Sequence, residues 1–271
     1  MFDTAPASAD ARRPLILLTN DDGIHAPGLY ALAHALGDVA TLRIIAPEHN
    51  WSAAGHSKTM HKPLRVYPTK ATPSAESHVC SGSPSDCVTL ALLGVLGKKP
   101  DLVISGINQG ANVGHDLTYS GTVAGAMEAV IGGVSAIAIS LDDYSGGNYG
   151  PGARFARHLV DQVLAHPKKE PLLLNVNVPA LPEHEIQGVQ VTRLGHRLYR
   201  DALVKRTDPR GRPYYWIGGE VPSGIPEKGT DIGALAEGFI SVTPVLLDLT
   251  AHDQLAMLRE WDLAYDASVP S

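Results

Sequence analysis

The chain has 271 residues, 44% of them hydrophobic and 18% charged, with a formal net charge of -6. That supports one large α/β domain, or a core with an appendage, and excludes global disorder. No Lys/Arg block is present, which argues against a binder of duplex nucleic acid but leaves a single nucleotide admissible, since backbone N–H groups and a metal can meet its phosphates. Cys80 and Cys87 are too few for a disulfide framework or a four-cysteine zinc site, and they read as reduced and partly buried. No apolar run reaches the length of a membrane span. Residues 1–13 lack the apolar stretch of a signal peptide. A cytoplasmic protein with a flexible N-terminus over 1–13 is expected.

Leu15–Thr19 is the first predicted strand, and it runs straight into Asn20-Asp21-Asp22-Gly23, strong turn chemistry. A helix is predicted over 27–36, with Leu29, Leu32, Ala33 and Leu36 on one face. The second strand covers 42–46 and ends at Pro47; 48–59 reads as loop and 62–67 as extended chain. Ser83-Pro84-Ser85-Asp86 predicts a helix start, with Ser83 as N-cap, Pro84 at the first helical position and Asp86 completing a capping box. That helix is expected to reach about Leu96 and stop at Gly97, with Lys98 and Lys99 near its negative end. A strand over 101–105 leads into a glycine-rich loop. Then come a helix (122–131), a strand (136–140), a helix (152–165) and a strand (172–176).

Apolar strands alternating with helices imply an α/β fold, a mostly parallel sheet with helices on both faces, over residues 14–179. Residues 180–240 are rich in Gly, Pro and charge and show no helical period. A strand interrupted by Pro244 is predicted over 239–249 and a helix over 252–261. Residues 180–271 thus read as an irregular, partly β C-terminal extension, of a kind that often packs against a neighbouring subunit.

Ligands of such sheets bind outside the carboxyl ends of the strands. The first strand end offers Asp21 and Asp22. Two adjacent carboxylates there are costly to desolvate unless a hard divalent cation joins them; the competing reading is a solvated turn with Asp22 capping the next helix. The second strand end offers Glu48 to Ser52. The third offers Gly106, Asn108, Gly110, Asn112, Gly114, His115 and Asp116. The glycines of 106–114 read as letting a ligand approach the backbone, and Asn108 can give a neutral carbonyl oxygen to a metal. Ser120-Gly121-Thr122 at a helix start reads as an anion seat, or else as an ordinary N-cap. His25, His49, His56, His115, Lys58 and Trp51 are weaker candidates. Asp231 and Glu237 read as ordinary surface acids. Gly-x-Gly-x-x-Gly, the P-loop pattern and Gly-x-Ser-x-Gly are absent, against dinucleotide, P-loop and α/β-hydrolase chemistry.

The pattern resembles the SurE (survival protein E) family of metal-dependent phosphatases acting on nucleoside monophosphates. The matching pieces run in order from Ile16-Leu17-Leu18-Thr19-Asn20-Asp21-Asp22-Gly23 through Ala46-Pro47 and Ser52. Ser81-Gly82-Ser83-Pro84-Ser85-Asp86, Asp101 to Gly110, Tyr119-Ser120-Gly121-Thr122 and Gly238 to Pro244 follow. The resemblance implies a Rossmann-like core and one divalent cation (Mg, Mn or Ca) per subunit, held by Asp21, Asp22, Ser52 and Asn108. It also implies hydrolysis of 5′- and 3′-nucleotides, with short polyphosphate as a further substrate, in a homodimer or homotetramer joined by the C-terminal region. Ser52-Ala53-Ala54-Gly55 departs from the family's Ser-Gly at that loop. Phosphate is expected to lie against Gly106, Asn108, Ser120, Gly121 and Thr122. Attack by water and attack by Asp21 or Asp22 both stay open. The rival readings are a nucleotide- or metal-sensing module on the same fold and a carbohydrate hydrolase using both carboxylates.

Overall fold

Strand β1 (Leu15–Thr19) is buried from end to end because its side chains alternate between two cores. Ile16 and Leu18 join one cluster and Leu17 the other. This computed structural model describes residues 13–73, 75–166, 168–199, 201–219 and 223–263. Apart from Arg13, whose guanidinium donates to Asp38 O at 2.6 Å, the N-terminal segment expected to be flexible lies outside the described residues.

After β1 come α1 (Pro27–Leu36), β2 (Thr41–Pro47), β3 (Val66–Thr69), β4 (Glu76–Cys80), α2 (Pro84–Leu92), β5 (Leu102–Gln109) and α3 (Gly121–Ile131). Next are β6 (Ala136–Asp142), α4 (Gly150–Ala165), β7 (Leu173–Pro179), β8 (Val189–Val191), β9 (Arg197–Leu198), β10 (Asp201–Thr207) and β11 (Pro213–Gly219). The chain continues through β12 (Ser223–Gly224), α5 (Asp231–Ala236), β13 (Ile240–Pro244) and α6 (Leu255–Arg259). The main sheet has nine strands in the order β3-β4-β2-β1-β5-β6-β7-β13-β8. From β4 to β7 every pairing is parallel. β3 is an antiparallel edge, and β13 returns antiparallel to β7. α1 and α4 cover one face and α2 and α3 the other. The expected α/β architecture is the one observed. Among the described residues no helix is long and apolar enough to cross a membrane.

The capping box forms as read: Ser83 Oγ accepts from Asp86 N and the Asp86 carboxylate accepts from Ser83 N. The helix itself ends at Leu92, short of the expected Leu96, and the chain turns at Gly94 (φ +99°), which a side chain would strain. Lys99 serves another helix, donating to Gly132 O at the end of α3 at 2.8 Å. β4 was not anticipated, because Glu76-Ser77-His78-Val79-Cys80 carries polar residues on a near-edge strand. β5 continues through Asn108 and Gln109, expected as loop, with a register shift between Ser105 and Asn108.

The sheet does not stop at residue 179. β13 and β8 extend it, and α5 packs on β13 and β7. β10 and β11 form a two-stranded ribbon of their own.

Candidate metal centre

Three strand ends are tied together by hydrogen bonds. Asn20 closes the turn after β1: its amide donates to Gly23 O at 2.9 Å, and its Oδ1 accepts from Gly23 N at 3.2 Å. Gly23 sits at φ +103°, a left-handed conformation that glycine adopts without cost. The N-cap of α1 is Ala26, with no side-chain cap. Asp22 is therefore not a helix cap, and the solvated-cap reading of this turn falls away. Trp51 N donates to Asp21 O at 2.8 Å and draws the loop after β2 against the end of β1. Asn50 orders that loop, accepting from Ser52 N at 2.7 Å and donating to Asp22 Oδ1 at 3.4 Å. The end of β5 joins through Gln109 N, which donates to Asp22 Oδ2 at 3.3 Å. The result is a cavity of about 300 Å³ lined by Asp21, Ser52, Asn108, Gln109, Ser120 and Tyr144, among others.

Burial pushes the Asp21 carboxyl up, opposed by hydrogen bonds from Thr122 Oγ1 and from the backbone N–H groups of Asp21, Thr122 and Gly121. Burial and then the Asp21 charge lift Asp22 to about 6, with the Gln109 N–H pulling the other way. Two crowded carboxylates of this kind are stabilised by a cation placed between them. Asn108 spends its NH₂ on Gly110 O at 2.8 Å, which leaves Oδ1 free as a neutral ligand. The donors are all oxygen, fitting a hard cation such as Mg²⁺, Mn²⁺ or Ca²⁺. No group of three His, Cys, Asp or Glu suited to a metal occurs among the described residues.

The expected phosphate residues divide. Ser120 and Asn108 line the cavity; Ser120 Oγ accepts from Val123 N at 3.1 Å and keeps its O–H available. Gly121 and Thr122 instead serve Asp21. Thr122 is fully buried with its hydroxyl committed to Asp21 Oδ1, and a Cβ on Gly121 would sit 2.7 Å from Asp21 Cβ. The anion at this helix start is the Asp21 carboxylate itself.

The glycine-rich stretch likewise serves packing more than ligand approach. A Cβ on Gly106 would come 2.2 Å from Ile139 O, one on Gly110 would meet the Tyr144 ring at 2.5 Å, and one on Gly114 would meet Gly195 O at 2.6 Å. Several N–H groups of the stretch are also taken. Gly110 N goes to Leu141 O, Asn112 N to Asn177 Oδ1 and Gly114 N to Asp231 Oδ2.

The histidines do not line the cavity. His56 lies 2.9 Å from Glu128 Oε2, His25 bonds Tyr30 OH, His115 faces His196, and His49 is exposed near Glu48. Lys58 pairs with Glu128 Oε1 at 2.6 Å, and Trp51 faces a neighbouring cavity.

Two buried acids anchor the site's surroundings. Burial of Glu128 is outweighed by hydrogen bonds from His56, Lys58 and Thr89, which lower it to about 2 and hold the 56–58 end of the Ser52 loop on α2 and α3. Asp231, expected on the surface, is fully buried and accepts from the backbone N–H groups of Gly114, Gly195 and Ile232. It locks the C-terminal segment onto the loop beside the cavity. Only the cap pattern Thr230-Asp231 hinted at it in the sequence.

Residues 16–201 match the family described as Survival protein SurE. A 5′-nucleotidase SurE of Herpetosiphon aurantiacus is 50% identical over 245 residues, covering 90% of this chain and 96% of that protein. A 5′-nucleotidase SurE of Chloroflexus aggregans is 49% identical over 249 residues, covering 91% and 98%. The crystal structure of the SurE protein from Aquifex aeolicus superposes with a TM-score of 0.77 at 40% identity, covering 91% of this chain and 98% of that one.

Proposed function

The chain belongs to the Survival protein SurE family, and on that premise we propose that it is a metal-dependent phosphatase releasing phosphate from nucleoside 5′-monophosphates. The observation that carries this reading is one cavity at the strand ends lined by Asp21, Ser52 and Asn108, with Asp22 beside it accepting from the Gln109 N–H. These four would hold one divalent cation. When bound, it supplies Lewis-acid stabilisation of phosphoryl oxygens and lowers the pKa of a coordinated water.

The chain's own groups do the rest. Thr122 and the α3 N-terminus hold Asp21 in one orientation, so a ligand atom is in place before substrate arrives. Ser120 can donate its O–H to a phosphoryl oxygen, where a charge-assisted hydrogen bond strengthens as negative charge builds. The 3′-monophosphates and short polyphosphate present the same phosphoryl group and are further candidate substrates.

Phosphate release from AMP, GMP, CMP and UMP tests the reading. Activity should vanish after chelation and return with Mg²⁺ or Mn²⁺. Full activity in metal-free protein would sink the metal assignment, and nucleotide binding without phosphate release would identify a sensing module instead.

We further propose that β10 and β11 join copies of the chain into a dimer or tetramer. The ribbon pairs Leu203 with Ile217 on one face and Val204 with Trp216 on the other. Ile217 is 83% exposed and Leu203 70%. A lone two-stranded ribbon is marginal in water, and apolar residues on both faces call for cover on both. Leu203→Glu with Ile217→Glu should shift light scattering to a smaller species while leaving the circular dichroism of the core intact. An unchanged assembly would place the interface elsewhere.

A further inference from the structure

The cavity beside Asp21 carries two aromatic side chains. Tyr119 and Tyr144 line it and are 61% and 58% exposed. A tyrosine this exposed is ordinarily free to change rotamer, yet the Tyr144 side chain is held at two points and its backbone at a third. Its ring lies against Gly110, where an added Cβ would come within 2.5 Å of Cε1. Its hydroxyl accepts from Arg197 Nη2 at 3.1 Å, and its carbonyl accepts from Gln109 Nε2 at 2.6 Å. Arg197 is in turn held by Asp116 at 2.7 Å. An aromatic ring that is immobilised and still open to solvent has already lost the conformational entropy that stacking would otherwise cost.

Several polar side chains around it are already engaged. The Gln109 amide serves Tyr144, Asp116 takes Arg197 and the Tyr199 hydroxyl, and Asn112 Nδ2 donates to Ser140 Oγ at 2.8 Å. With these donors engaged, the two tyrosine rings are the exposed aromatic surface that the cavity offers a nucleoside. Resting on the nucleotidase reading, we propose that Tyr144 is the platform on which the substrate's base stacks, with Tyr119 as a second wall, so that the base is read by its face rather than its edge. Purines, with the larger face, should be better substrates than pyrimidines, and a base-free sugar phosphate worse than either.

The test compares kcat/KM for AMP and ribose 5-phosphate in the metal-loaded enzyme. Saturation-transfer NMR of adenosine provides a second readout that does not depend on turnover. Tyr144→Ala should cut the AMP to ribose 5-phosphate ratio by about tenfold, the scale of one lost base–aromatic stack, and weaken the adenosine signal. Tyr144→Phe keeps the ring and should retain most of the ratio. Equal losses on both substrates, or adenosine binding undiminished in Tyr144→Ala, overturn the platform. If the wild type releases phosphate from no nucleotide, the nucleotidase reading fails; adenosine binding that depends on Tyr144 would still support the platform.

Discussion

Asp21→Asn and Asp22→Asn are each expected to lower phosphate release from AMP by more than ~10²-fold while leaving the fold intact. Each change removes one negative charge at almost constant shape. Loss of a group that merely orients a ligand costs roughly 10–100-fold in metal affinity or activity, and a direct ligand should cost more. Stability should move the other way. Burial and the neighbouring charge raise Asp22 to about 6, above the ordinary carboxylate value of ~4. The folded state therefore holds its proton more tightly than the unfolded chain. Metal-free protein should then lose stability as pH rises from about 4 to about 6, and Asp22→Asn should lose less. Thermal unfolding in chelator, measured across that range beside kinetics in Mn²⁺, checks both signs. Unchanged turnover in either variant would remove that residue from the site. A variant much less stable than wild type in chelator would make the carboxylate structural.

Local signals in the chain were legible. The capping box of Ser83 and Asp86 and the Asn20–Gly23 turn each span four residues, and both formed as read. The same holds for the runs of buried apolar residues that became β1, β2 and β5. The glycines of 106–114 were visible too, but not their reason. A glycine shows that something comes close; it does not say whether that is a ligand, Ile139 O, the Tyr144 ring or Gly195 O. Those neighbours lie far along the chain, as does Asp231, which meets Gly114 across 117 residues. β4 escaped because its residues are polar on a sheet margin. Ser52 stood out only as the last residue of the second strand-end cluster and through the family resemblance; it lines the cavity with Asp21, and its neighbour Trp51 donates to Asp21 O.

Gly121→Val should nearly abolish Mn²⁺ binding, and Thr122→Val should weaken it by roughly 10–100-fold, through Asp21 rather than through phosphate. A valine at 121 would place Cβ 2.7 Å from Asp21 Cβ and 2.8 Å from its Oδ2, so the carboxylate must leave its position. Thr122→Val keeps the shape but removes the O–H that orients Asp21 Oδ1. A buried carboxylate that loses a donor is further disfavoured as an anion, and a protonated Asp21 is a poor ligand. Thr122→Ser restores the hydroxyl and should recover most of the affinity. Calorimetric titration with Mn²⁺ in the absence of nucleotide separates the two possible origins. A helix start that only seats phosphate would leave this titration unchanged and raise KM alone. One that orients Asp21 loses metal first, and turnover at low Mn²⁺ falls with it, partly recovering as Mn²⁺ is raised in Thr122→Val but not in Gly121→Val. Normal Mn²⁺ affinity in both variants would return the helix start to the phosphate and leave Asp21 without its support.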